Sequence, residues 1–383
     1  MIDSAISLQA RRIVLSCFFF LTGICFASWA SRIPDIKMQL GLSDGAFGGF
    51  LFFLPIGTFV GIPISGSITA KFGSKKIIIL ASILYPLSLL VLGFVNSTTF
   101  LAIALFIFGM AGNLFNVSVN TQAAALSKLF EKSITSRFHG FWSLAGFMGG
   151  LLGGFFVAHA ISPLQQFTVV AIAGWIFLYF GYPYLLPGEP NKNHKAKIWN
   201  KPSPLMWQFG LIAFSNMICE GMMFDWSGLY FQDIVKVSNE WRTTGYVCFM
   251  ASMTTGRMFS DNLINYWGAR KQLILSGLLV TFGIVVAVSY PHLIVSSIGF
   301  MLVGFGASSV IPTIYGTVGR TTEPSKVSIA LASVSSVGFF GFLIGPPIIG
   351  FLSQAIGLRW AFLTISLLGI MTAIRAHQLK KYL

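Results

Sequence analysis

The sequence predicts an all-α membrane protein: twelve transmembrane helices in two pseudo-symmetric six-helix bundles. Three observations carry this expectation. Over 383 residues, 55% are hydrophobic and 9% are charged, whereas a soluble domain carries about 25% charged residues. The chain divides into apolar stretches of roughly 20 residues, the length that crosses a bilayer as a helix. A glycine and basic-residue pattern also recurs after 195 positions: Gly61, Gly66, Gly73, Lys75 and Lys76, then Gly256, Arg257, Asp261, Gly268, Arg270 and Lys271. The same shift carries Gly109 to Gly304 and Gly146 to Gly341, as a duplicated helical bundle requires.

The expected spans of the first half are 12–30, 45–70, 77–95, 99–126, 138–160 and 166–186. Those of the second half are 204–232, 243–266, 272–290, 293–319, 328–352 and 359–376. The one long polar interruption, from Pro187 to Pro204, reads as a linker, so the predicted division is 1–186, 187–203 and 204–383. The segment Ser31 to Asp44 opens Ser-Arg-Ile-Pro and reads as an outer loop with one short interfacial turn. The fifth span carries Gly146, Gly149, Gly150, Gly153 and Gly154 on or near one face, spacing that lets helix backbones approach closely in lipid. The eleventh repeats this with Gly341, Gly345 and Gly350, and adds Pro346 and Pro347, which bend a helix. No stretch alternates as a membrane β-barrel strand does.

Formal net charge is +14, from 25 Lys and Arg against 11 Asp and Glu. Sorted by loop parity, five basic residues (Arg32, Lys37, Lys236, Arg242 and Arg359) fall on one side and the other 20 on the opposite side. This asymmetry predicts a bacterial-type inner membrane protein with both termini in the cytoplasm. It also argues against nucleic acid as a partner, since no basic cluster interleaves with aromatics. The four cysteines lie in apolar segments and read as small buried hydrophobes. The first apolar run imitates a signal peptide but lacks a convincing cleavage site, and is read as an uncleaved helix. No metal-ligand spacing, cofactor motif, nucleophile-base pair or nucleotide-binding loop stands out, so the expectation is no cofactor, no metal and no enzyme activity.

Polar residues inside the spans are the candidate functional groups. Glu220 and Asp225 are acids in the seventh span, where a charge costs at least ~2.5 kcal/mol on insertion scales and generally has a role or a partner. Glu220 lies roughly 18 Å of helix from the outer end of its span, and is expected to bind a coupling proton. The plainer reading is a structural hydrogen bond. Asp225, nearer the outer face, suits a second proton site or a gate, pairing with Arg32 or Arg242. Asn113, Asn116 and Asn120 share one face of the fourth span, with Gln122 beyond them. Amides both donate and accept, which suits a hydroxyl-rich solute, although amides also bridge packed helices. Trp142, Asn216, Trp226, Phe26 and Trp29 complete the candidate solute cavity, with ordinary packing the alternative for each aromatic. His139, beside Arg137, reads as an interfacial residue.

The loop Gly256-Arg257, Asp261, Gly268, Arg270-Lys271 resembles the motif between spans 8 and 9 of the major facilitator superfamily. Gly341-x-x-x-Gly345-Pro346 is similar to that superfamily's glycine-proline motif, and the likeness covers essentially the whole chain. Gly256-Arg257-Met258-Phe259, Trp226-Ser227 and Pro312-Thr313-Ile314 look most like the fucose-permease-like branch. Two departures stand out. Ala70 occupies the place where the superfamily usually has an Asp in the first copy, and the shifted position in the second copy is Asn265. Acids used for proton coupling in spans 1 and 4 of that branch's sugar symporters have no counterpart here.

The resemblance implies a secondary carrier working by alternating access. The expected cargo is a small polar solute, such as a sugar or sugar derivative, moved together with a proton. A proton-driven exporter of drugs or metabolites is the alternative, and a non-transporting receptor or scaffold the rival of another class. Arg257, Asp261 and Arg270 are expected to form a charge cluster that acts as a cytoplasmic latch, with Arg32 at the outer gate. One chain holds both halves, so a monomer in the bilayer is expected.

Overall fold

The computed structural model describes residues 7–130, 135–188, 203–323 and 326–382, and leaves the side chains of 135–137, 261 and 328 aside. Thirteen helices account for them in chain order. The first seven are α1 (Leu8–Gln39), α2 (Asp44–Leu51), α3 (Phe53–Phe72), α4 (Ser74–Leu92), α5 (Thr98–Ser127), α6 (Thr135–Ala158) and α7 (Pro163–Gly181). The others are α8 (Pro204–Leu229), α9 (Thr244–Ser289), α10 (Leu293–Ser308), α11 (Val310–Thr321), α12 (Val327–Ile356) and α13 (Leu358–Gln378). No strand occurs among the described residues. Among the described residues, ten stretches are long and apolar enough to cross a membrane. The other two expected crossings are α8, which carries Asn216, Glu220 and Asp225, and the first half of α9, which carries Arg257.

Elementary backbone chemistry explains where the helices break. Proline lacks an amide N–H, so it leaves the carbonyl four residues earlier without its helical partner. Pro55 does this to Leu51, the last residue of α2, and Pro312 does it to Ser308, the last residue of α10. Two expected crossings are therefore each built from a pair of helices. In contrast, α1 runs through Pro34 to Gln39, so most of the stretch read as an outer loop is helical. Arg32 stabilises this extension. It is buried and donates to Gln166 Oε1 at 2.5 Å, to the Ile161 carbonyl at 2.7 Å and to Asp35 at 3.2 Å.

Contacts divide the chain into a unit of Met1–Leu40 with Phe53–Ile198 and a unit of Gly41–Phe52 with Trp199–Leu383. The second unit thus includes α2, which the sequence division assigns to the first half. A close helix crossing accounts for this. A methyl group on Gly48 would come within 2.8 Å of Gly350 Cα on α12. The Ser353 hydroxyl donates to the Asp44 carboxylate, and Ser43 bonds Gln354 at 3.3 Å. The expected linker lies mostly outside the described residues.

Within each unit the glycines of the repeat occupy the same structural positions. Gly73 and Gly268 both take positive φ, 85° and 76°, at the turns that join α3 to α4 and that divide α9. A side chain on Gly109 would strike the Leu54 carbonyl, and one on Gly304 would strike the Phe249 carbonyl. A methyl on Gly61 would come within 3.3 Å of Asn113 Cβ, and one on Gly256 within 2.8 Å of Ser308 Cβ. Leu54 to Phe249 and Asn113 to Ser308 are again shifts of 195. The duplication therefore preserves helix-crossing contacts, where small residues let backbones meet. Outward positions such as Ile103, Phe155, Phe282 and Leu367 are more than half exposed, an apolar surface suited to hydrocarbon.

Candidate functional site

The second unit holds a buried ion pair. α8 starts cleanly: the Ser203 hydroxyl accepts from the Met206 amide, and Pro204 occupies the first turn, where no amide donor is needed. Sixteen residues further along the helix, Glu220 is buried. Asn216, one turn earlier on the same face, donates from Nδ2 to Glu220 Oε1 at 2.6 Å. Arg257 Nη2 on α9 lies 3.6 Å from Glu220 Oε2. Each carboxylate oxygen thus has its own partner. The glycine beside Arg257, Gly256, lets α9 approach α10 at Ser308. The Arg257 side chain is 23% exposed and that of Glu220 7%, so the pair sits where protein interior meets a more accessible space.

Two tyrosines that sequence reasoning missed border these acids. Tyr315, on α11, lies in electrostatic range of Glu220, and its hydroxyl is 2.6 Å from Ser335 Oγ on α12. Tyr315 is Asn120 shifted by 195, so the repeat, applied beyond the glycines, would have found it. Tyr246 lies in electrostatic range of buried Asp225, and its hydroxyl has no partner among the described residues. Behind Asn216, Ser215, Ser276 and Thr372 help line a cavity of about 10 Å³, room for about one water. The buried Asn216 Oδ1 has no protein partner among the described residues.

The remaining candidates fall into different settings. On α5, Asn120 Nδ2 donates to the Asn116 carbonyl at 2.9 Å and to Asn116 Oδ1 at 3.2 Å, with Asn116 exposed. Asn113 packs on Gly61, and its Oδ1 is buried without a partner among the described residues. Gln122 is not on that exposed stripe. It is buried and donates to Ser74 Oγ at 3.1 Å and to the Leu186 carbonyl at 2.8 Å, while its Oε1 accepts from the Leu186 amide at 3.1 Å. Its amide clamps the chain after α7 through both its donor and its acceptor. Phe26 and Trp142, both partly exposed, pair at 6.3 Å between centroids. Trp29 and Trp226 are fully buried, with ring N–H groups lacking partners among the described residues. His139, an exposed neighbour of Phe19, lies 5.5 Å from that ring.

The expected charge cluster lies partly outside the described residues. Arg257 pairs with Glu220 on α8 and lies eleven positions before the turn at Gly268. Arg270, beyond that turn, donates to His377 Nδ1 on α13 at 3.0 Å. The Asp261 side chain lies outside the described residues. Arg32 is held by partners of the first unit, and Asp225 makes no ion pair among the described residues.

The family model of the Major Facilitator Superfamily matches residues 14–293 and 246–379. The chain belongs to the Major Facilitator Superfamily. Its relatives include an uncharacterised transporter of this type from Yersinia pestis, 32% identical over 94% of this chain and 93% of the relative. The membrane protein MosC of Rhizobium meliloti is 32% identical over 93% of this chain and 86% of its own length. Among solved structures, an inward-facing, unoccupied bacterial homologue of the human lysosomal transporter Spinster matches with a TM-score of 0.78 at 13% identity. That match covers 98% of this chain and 97% of the other. The major facilitator fold, with its multi-pass membrane architecture, is thereby established, as is membership of a class of transporters and not of enzymes.

Proposed function

We propose that the chain is a proton-coupled symporter of a small polar solute, a sugar or sugar derivative, and a member of the fucose-permease-like branch. Glu220 is the proton-binding group. The observation that carries this reading is the Glu220 carboxylate, divided between Asn216 and Arg257 inside the membrane. While charged, Glu220 holds Arg257. A proton on Glu220 removes this attraction, and the five N–H donors of the guanidinium suit hydroxyl and carboxylate oxygens. Proton and solute then favour the same state of the site, which is the thermodynamic content of symport.

The repeat supports an asymmetric division of labour. Glu220, Arg257 and Asn216 correspond to Cys25, Ile62 and Leu21 in the first half. The Glu220–Arg257 pair therefore has no charged counterpart at the equivalent positions of the first half, whose own polar candidates are the neutral amides Asn116 and Asn120 beside the Phe26–Trp142 aromatic pair. Asp225, beside Tyr246, is a second proton site in the same unit. Both termini lie in the cytoplasm of a bacterial-type inner membrane, a reading that the basic turns support.

A thermal-shift screen of the purified protein tests the solute class, with hexoses, amino sugars, polyols and tetraphenylphosphonium as probes, repeated on Glu220→Gln. Stabilisation by a hydroxylated probe, altered in the variant, supports the reading. Stabilisation by the lipophilic cation alone assigns the protein to the exporters and defeats it.

A further inference from the structure

Away from the ion pair, α4 and α7 enclose an open groove of about 670 Å³ on the surface of the first unit. Ile79, Ile83 and Leu87 line it from α4, at the spacing of four that forms a straight stripe on a helix. Trp175, Tyr179 and Tyr182 line it from α7 and the turn that follows. The Trp175 ring N–H in the lining is already bonded to the Ile83 carbonyl at 3.3 Å. The walls are exposed and apolar: Ile83 is 42% and Tyr179 71% exposed.

Two lysines stand on α4 just beyond the end of the groove. Lys75 continues the Ile79–Ile83–Leu87 stripe by one further turn, and Lys76 is its neighbour. The chain beyond Tyr182 is fixed at this same end. Gly73, with φ 85°, meets Gly188 so closely that a methyl on Gly188 would lie 3.0 Å from the Lys75 amide nitrogen. From Lys75 to Leu87 the stripe measures about 18 Å of helix, close to the ~15 Å of hydrocarbon in one leaflet plus its headgroup.

We infer that this groove seats one anionic phospholipid, with an acyl chain along the Ile79–Leu87 stripe and its phosphate against Lys75 and Lys76. The apolar walls require hydrocarbon, which surrounds the protein in the bilayer, and the two lysines select a negative headgroup. The inference does not depend on the identity of the solute or on the role of Glu220.

The test uses the full-length protein in nanodiscs of equal dioleoyl phosphatidylglycerol and dioleoyl phosphatidylcholine, followed by gentle extraction and native mass spectrometry. Wild type is expected to retain phosphatidylglycerol in preference to phosphatidylcholine. Lys75→Gln and Lys76→Gln are each expected to reduce that preference about 5-fold. Ile83→Trp, which fills the groove and leaves both lysines in place, is expected to lose the retained lipid. Circular dichroism and melting of each variant identify loss of fold. Equal retention of the two lipids by folded wild type overturns the inference, as does a preference that both lysine variants leave intact. A lipid-free dimer sensitive to Ile83→Trp would give the groove to a second copy of the chain instead.

Discussion

The ion pair of Glu220 and Arg257 makes a quantitative prediction for a double-mutant cycle. At the 3.6 Å separation, two unit charges attract by about 4.6 kcal/mol at an effective dielectric constant of ~20. The Arg257 side chain is 23% exposed, so screening reduces this to roughly 2 kcal/mol, within the range for contacting charges. Glu220→Gln removes the carboxylate that faces Arg257, and Arg257→Gln removes the cation that faces Glu220. Each single variant is therefore destabilised. The double variant lacks both charges and recovers part of the loss. Thermal unfolding in a mild detergent reads the coupling as a melting temperature about 4–8 °C above the additive expectation for a unit of this size. Additivity within about 0.5 kcal/mol would refute the pairing as an energetic contact.

Three further predictions separate structure from function. Gln122→Ala should lower stability by about 1–3 kcal/mol, because it strands the Leu186 amide, while leaving solute-induced thermal shifts unchanged; Asn116→Ala and Asn120→Ala should show the opposite pattern. Gly268→Ala should cost about 1–3 kcal/mol for its positive φ, and Gly73→Ala should cost more, because its added methyl would also strike the Gly188 carbonyl; melting curves compare them. Gly109→Val and Gly304→Val should both prevent accumulation of folded protein, since each drives a side chain into a helix carbonyl, and gel-filtration profiles after expression provide the check.

The architecture was readable because it rests on properties that accumulate along the chain. Hydrophobic length marks crossings whatever the neighbours are, and the shift of 195 marked positions that prove to be shared helix crossings, Gly109 on Leu54 and Gly304 on Phe249. Glu220 was legible as a costly charge in an apolar span. Its partner was not, because Arg257 belongs to a motif whose spacing suggests a loop cluster, and only the path of α9 shows that the side chain reaches α8. Gln122 misled for a related reason. Its composition matches the asparagine stripe, but its position near the helix end puts it against the Leu186 backbone. The helical continuation of α1 through Pro34 was hidden as well, since it depends on Arg32 bonds to residues more than a hundred positions away.

The most direct measurement of the central claim is proton movement during solute entry. Proteoliposomes loaded with a pH-sensitive dye would receive a hydroxylated solute that stabilises the purified protein, with no imposed ion gradient. Wild type is expected to acidify the lumen as solute enters, and Glu220→Gln to admit no proton with it. Lumenal acidification of undiminished size in Glu220→Gln would contradict the assignment.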